Sequence, residues 1–247
     1  MAQWQWTSDG VAAAGVRERG FTVVRQGQTV PGVLWQPAAI SGRSPLVLMG
    51  HGGTGHKRNE RMNMLGRLFA GDYGWCAAAI DGPAHGERGP ADDPERSNYR
   101  LMWQRPNIVK SMIDDWRTTL DGLCGLESVD ASRVGYWGVS MGTMFGLPYV
   151  ANESRVRAAV LGKAGMTGPS VVRSGIDAHF RQHAQNVHVP VLFTMQWDDE
   201  RFDRTGQLTL FDMIAAKDKR LHAYPGEHSG NGPEAFVVQA EFLKRYL

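Results

Sequence analysis

Apolar positions along this chain fall into two rhythms that predict different elements. Residues 21–25 and 30–35 are β-rich runs on either side of Gly27, and they read as an antiparallel hairpin spanning about 21–35. Beyond it come six short, nearly continuous apolar runs, at 46–49, 75–80, 133–137, 156–161, 191–195 and 221–224, each ending at glycine, proline or a polar turn. Uninterrupted runs of that length suit strands covered on both faces, as in a parallel sheet. Between them, 59–70, 108–126, 141–150, 205–216 and 233–246 carry apolar residues at three- and four-residue steps. In the second of these, Ile108, Met112, Ile113, Trp116, Leu120 and Leu123 line one face of a helix. A hairpin followed by alternating strand and helix predicts an α/β fold with a mostly parallel sheet of roughly eight strands and helices on both faces.

Length and composition narrow this picture. The 247 residues are 42% hydrophobic and 21% charged, without a linker-like stretch or repeat, so residues 1–247 are read as one domain. Long connections at 89–106 and 166–186 are read as a minimal cap of loops. The net charge of +2 comes from scattered residues, which argues against nucleic acid as a partner. Neither a signal-peptide pattern nor a run of about eighteen apolar residues is present, so the expectation is a cytoplasmic protein with no membrane partner. Cys76 and Cys124 lie among apolar neighbours and are read as buried free thiols. Homo-oligomerisation is left open.

The chemistry gathers where strands end, which is where sheets of this kind bind ligands. Gly138-Val139-Ser140-Met141-Gly142 sits between a strand and a helix, the context in which a tight turn presents a serine hydroxyl to the crevice. A serine hydroxyl needs a neighbouring base, and among eight histidines His228, in the loop after the last strand, is best placed. A carboxylate should orient that histidine. Asp198 and Asp199 both follow the strand at 191–195; Asp199 is preferred and Asp198 remains the alternative, while Asp203 reads as a helix N-cap. His51-Gly52-Gly53-Thr54-Gly55 supplies small residues whose amides could approach an oxyanion, and Gly53 or Thr54 with Met141 are the expected donors. A nucleotide loop is disfavoured there, because Gly55-His56-Lys57-Arg58 lacks the Gly-Lys-Ser/Thr ending.

HGGTG at 51–55, DGPAHGER at 81–88, GVSMG at 138–142, QWDDERF at 196–202 and PGEH at 225–228 together resemble the α/β-hydrolase superfamily, nearest to its dienelactone-hydrolase-like and small carboxylesterase branches. The resemblance implies a triad of Ser140, Asp199 and His228 and an oxyanion hole from the 51–53 loop with Met141. Two departures stand out. Dienelactone hydrolases look to cysteine at the elbow where this chain has Ser140, and the acid turn carries Gln196 and Asp203 where glycine and proline are usual.

Met102, Trp103, Met166, Trp197 and Phe202 are candidate substrate-lining residues, with packing onto the core as the competing reading. Arg88 and Lys163 near strand ends could meet a substrate carboxylate, although ordinary ion-paired roles weigh more. His179 and His183 share a helix face without further ligands, so no metal is expected, nor any cofactor. His85 and His56 are read as shaping loops, and His222 as structural. The expected function is hydrolysis of small to medium, partly apolar carboxylic esters through an acyl-enzyme. The alternatives are the same machinery on amide, thioester or carbon–carbon bonds, and a non-catalytic ligand binder.

Overall fold

A computed structural model describes residues 3–39, 42–89, 97–230 and 232–247. Ten strands form one sheet among these residues: β1 (Gln3–Trp6), β2 (Val11–Ala13), β3 (Val16–Arg25), β4 (Gln28–Pro37), β5 (Ser44–Gly50), β6 (Cys76–Ile80), β7 (Val129–Gly138), β8 (Val156–Gly162), β9 (Val191–Gln196) and β10 (Lys219–Tyr224). The order across the sheet is β1, β3, β4, β6, β5, β7, β8, β9, β10, with β2 paired to β3. Pairs from β6 through β10 are parallel, and those from β1 to β6 through β3 and β4 are antiparallel. The sheet is therefore mostly parallel over the half that carries the chemistry. Its two strands beyond the expected eight are β1 and β2, in the stretch read as a polar lead. Trp4 stacks on Phe21 at 4.2 Å between ring centroids and Trp6 meets the same ring edge-on, so the alternating tryptophans add side-chain packing to the β1–β3 ladder.

Eight α-helices surround the sheet among the described residues: α1 (Glu60–Arg67, extended by a π turn at Leu68–Asp72), α2 (Ser97–Trp103), α3 (Ile108–Cys124), α4 (Met141–Val150), α5 (Pro169–Ser174), α6 (Ile176–His183), α7 (Arg204–Met213) and α8 (Pro233–Leu243). Alternate residues of each central strand point to opposite faces. Leu46 and Leu48 of β5 join a core with Trp116 of α3, Phe145 of α4, Phe180 of α6 and Leu210 of α7. Val47 and Met49 join the other core with Met62 and Leu65 of α1 and Phe236 and Leu243 of α8. The short helices α2, α5 and α6 lie in segments read as cap loops. Residues 90–96 of the 89–106 connection lie outside the described residues. No helix among the described residues is long and apolar enough to cross a membrane.

Parallel pairing aligns the carboxyl ends at one edge. Gly50 of β5 pairs with Gly138 of β7, Gly162 of β8 with Thr194 of β9, and Gln196 of β9 with Tyr224 of β10. The segments that follow these strands, some ninety residues apart in sequence at the extremes of the elbow and the last loop, open onto the same crevice.

Candidate active site

Between β7 and α4 the chain turns so tightly that Ser140 adopts φ 59° and ψ −123°. A non-glycine residue there carries strain of order 1–3 kcal/mol, sustained only where surrounding bonds fix it. Those bonds are present: the Ser140 amide donates to the Gly162 carbonyl at 3.0 Å, and the Ser140 carbonyl accepts from Thr143 and Met144 at 2.8 and 2.9 Å. The Thr143 hydroxyl lies 2.7 Å from the carbonyls of Gly138 and Gly162 and accepts from the Gly162 amide. Met141, the first residue of α4, has an amide that donates to no group among the described residues.

His228 meets this turn from the loop after β10. Its Nε2 is 2.8 Å from Ser140 Oγ and its Nδ1 is 2.8 Å from Asp199 Oδ2. The Asp199 side chain is wholly buried, and its other oxygen accepts from the amides of Arg201 and Phe202 at 2.8 and 3.0 Å. An ionised, acceptor-only carboxylate at Nδ1 selects the tautomer with the proton on that nitrogen and leaves the Nε2 lone pair facing the hydroxyl. Asp198 is different. Its carboxylate is mostly exposed and its nearest cation is Arg204 at 3.5 Å, so of the two aspartates left open by sequence it is Asp199 that touches the imidazole. Asp203 stands at the N-cap of α7 without a side-chain capping bond.

The loop after β5 borders the same crevice. His51 is buried; its Nε2 accepts from the Gly82 amide at 2.9 Å and its Nδ1 donates to the Gly52 carbonyl at 2.9 Å. Burial, with the nearby His85 adding to it, pushes its pKa down to about 4 and keeps the ring neutral. His85 places one ring nitrogen 3.0 Å from the Gly53 carbonyl and the other 2.8 Å from that of Pro83, tying the loop to the segment after β6. A turn closes it through Gly55 N to Gly52 O at 2.9 Å. Thr54 is exposed, and its amide donates to no group among the described residues.

The residues expected around a substrate divide. Phe202 is buried with its ring 5.8 Å from the His228 imidazole, and Met166 is buried. Trp103 stacks on Phe145 at 4.8 Å, while Trp197 is half exposed beneath the Arg204 guanidinium at 4.1 Å. Met102, like Phe202 and Met166, is buried, and it packs in the core that contains Trp103, Ile108 and Val109. Arg88 is ion-paired with Asp115 at 2.8 Å and is not available to a carboxylate. His179 and His183 stack nearly parallel, and among the described residues no group of three metal-ligating side chains exists. His56 is exposed and its Nδ1 accepts from the Arg58 amide, and His222 lies in β10. Cys76 is buried and Cys124 half-buried; both are free, and burial raises both thiol pKa values.

Glu200, with no assigned part in the sequence reading, and Lys163, read there as near enough to a strand end to meet a substrate carboxylate, grip the His228 backbone. The His228 amide donates to Glu200 Oε2 at 2.9 Å, and the His228 carbonyl accepts from Lys163 Nζ at 2.7 Å. Glu200 directly follows Asp199 and Lys163 directly follows a strand-ending glycine, which is the only trace either leaves in the sequence.

No family model matches the chain. It is 35% identical to a cold-adapted esterase from an Arctic intertidal metagenomic library, solved with bound polyethylene glycol, with a TM-score of 0.86 over 98% of this chain and 99% of that one. An acetyl xylan esterase from Paenibacillus sp. R4 shares the fold at a TM-score of 0.74 and 18% identity, over 100% of this chain and 89% of its own. A quorum-quenching protein, AidA, of Acinetobacter baumannii is 26% identical over 117 residues, which span 47% of this chain and 34% of that protein.

Proposed function

This chain belongs to the α/β-hydrolase superfamily as a carboxylic ester hydrolase, and on that premise we propose that it cleaves esters by attack of Ser140, with His228 as the base and Asp199 as the residue that orients it. The observation that carries the reading is the unbroken chain of hydrogen bonds from Asp199 through His228 to Ser140, each link 2.8 Å, at the carboxyl edge of the sheet. His228 Nε2 takes the hydroxyl proton as Ser140 Oγ bonds to the ester carbonyl carbon. The carbonyl oxygen becomes an oxyanion, received by the Met141 amide and by one from Gly53 or Thr54. Asp199 stabilises the imidazolium without taking its proton. The proton passes to the departing alcohol oxygen, leaving an acyl-Ser140 ester. Water, deprotonated in turn by His228, releases the acid and restores the serine.

The apolar ring of Phe202 beside the base supports a partly apolar substrate of small to medium size. Two unpaired thiols support a reducing, cytoplasmic setting. Replacing Ser140 by alanine is expected to lower kcat on a simple aryl ester by about 10⁴-fold or more and to abolish labelling by a fluorophosphonate. Turnover by Ser140→Ala at the wild-type rate would end the reading.

A further inference from the structure

The base is fixed in place by more than its carboxylate partner. The two peptide groups that flank its Cα are held by side chains of opposite charge: Glu200 Oε2 receives the His228 amide at 2.9 Å and Lys163 Nζ donates to the His228 carbonyl at 2.7 Å. Lys163 is almost wholly buried. It occupies φ 47°, a left-handed conformation natural to glycine and costly for lysine, directly after Gly162 at φ 139°. The Lys163 amide is anchored to the Thr194 carbonyl at 2.7 Å, and the Gly162 carbonyl receives the Ser140 amide at 3.0 Å. A two-residue segment at the end of β8 thus touches the serine turn with its backbone and the histidine loop with its side chain.

Resting on the acyl-transfer reading above, we propose that Lys163 is a positioning residue that sets the His228 imidazole against the Ser140 hydroxyl, with Glu200 as its counterpart on the preceding peptide group. A buried lysine in a strained conformation needs a return for both costs, and the bond to His228 is the one hydrogen bond its ammonium makes among the described residues. The charged groups facing the ammonium are Arg61 from α1 and Asp199 and Glu200 from the acid turn. Burial, with Arg61 adding to it, lowers its pKa to about 8, so it remains a cation throughout the range in which a histidine base loses activity to acid. That cation disfavours a second positive charge on the neighbouring imidazole, whereas Glu200 favours it.

Lys163→Met and Glu200→Gln, made in the full chain and assayed on a p-nitrophenyl ester, test this. Lys163→Met is expected to lower kcat by about 10–100-fold with KM nearly unchanged, as a misplaced reacting group does. The acidic limb of its kcat/KM profile is expected to move up by about half a pH unit or more. Glu200→Gln keeps an oxygen to accept the His228 amide but loses the charge, and its limb should move the opposite way, by less, since Glu200 is half exposed. Rates are to be expressed per site labelled by a fluorophosphonate. Wild-type kcat per labelled site together with an unmoved limb in Lys163→Met would overturn the proposal and leave the lysine a purely structural part. Should Lys163→Met not fold, Lys163→Gly, which suits φ 47°, carries the same two readouts. Failure of the underlying chemistry is separable, because it would appear as wild-type turnover by Ser140→Ala.

Discussion

His51 is a buried base that the fold requires to stay uncharged, since its Nε2 must accept from Gly82 while its Nδ1 donates to Gly52. In the unfolded chain the imidazole binds a proton near its ordinary value of 6.5; in the folded protein burial delays this to about 4. Between those values the unfolded state holds more protons, so stability is fully present above about 6.5 and is lost as pH falls towards 4. The loss from this residue reaches about 3.5 kcal/mol at most, taking about 1.4 kcal/mol for each pH unit. His51→Gln can reproduce both bonds without titrating. Urea midpoints measured at pH 7 and pH 5 should therefore draw closer together in the variant than in the wild type. An unchanged gap between the two would locate the acid sensitivity elsewhere.

Between single residues and the whole lies the β7–α4 turn, whose geometry depends on how closely a helix can approach a strand. A Cβ on Gly142 would stand 2.3 Å from the Gly50 carbonyl oxygen, and that neighbour is backbone of β5, which cannot step aside. Gly142→Ala should cost about 1–3 kcal/mol by overpacking and, by displacing Met141 and Ser140, lower kcat as well; thermal unfolding and steady-state kinetics measure the two effects. This turn was legible in sequence because glycines flank the serine between an apolar run and a helical period, two signals that depend on local chain geometry alone. The same holds for His228 and the acid turn, each marked by the end of an apolar strand. What could not be read depends on contacts between distant segments. Asp199, preferred in sequence with Asp198 as the alternative, is singled out by its bond to the imidazole of a loop twenty-nine residues on. Met102 is buried because α2 folds its side inward, and no local period over seven residues reveals that. The β1 strand had a signal, the alternation of Gln3, Trp4, Gln5 and Trp6, that its polar half obscured.

At the scale of the molecule, the antiparallel half of the sheet and the crevice are joined by charges under the surface. Asp115 of α3 has a wholly buried side chain that receives Arg25 of β3 at 2.9 Å and Arg88, from the segment after β6, at 2.8 Å. Arg88 also donates to the Asp81 carbonyl at 3.0 Å. Asp81 in turn is buried against Lys57, whose amide and ammonium it accepts at 2.8 and 2.6 Å, and Lys57 reaches on to Glu87. The loop that carries His51 and the segment that carries Gly82 and His85 are thereby fastened to a helix and an outer strand. Removing the central carboxylate leaves the largely buried Arg88 guanidinium without a carboxylate partner among the described residues and Arg25 with only Asp114 at 3.9 Å, a situation that costs about 3–5 kcal/mol, far more than an exposed pair would contribute. Asp115→Ala is accordingly expected to lose that much in urea unfolding at pH 7. Asp115→Asn, which retains one acceptor oxygen for one of the two arginines, should lose less. Were the loss confined to a few tenths of a kcal/mol in the alanine variant, the two arginines would have to be finding water instead, and the network would be a surface feature rather than a tie between the halves of the sheet.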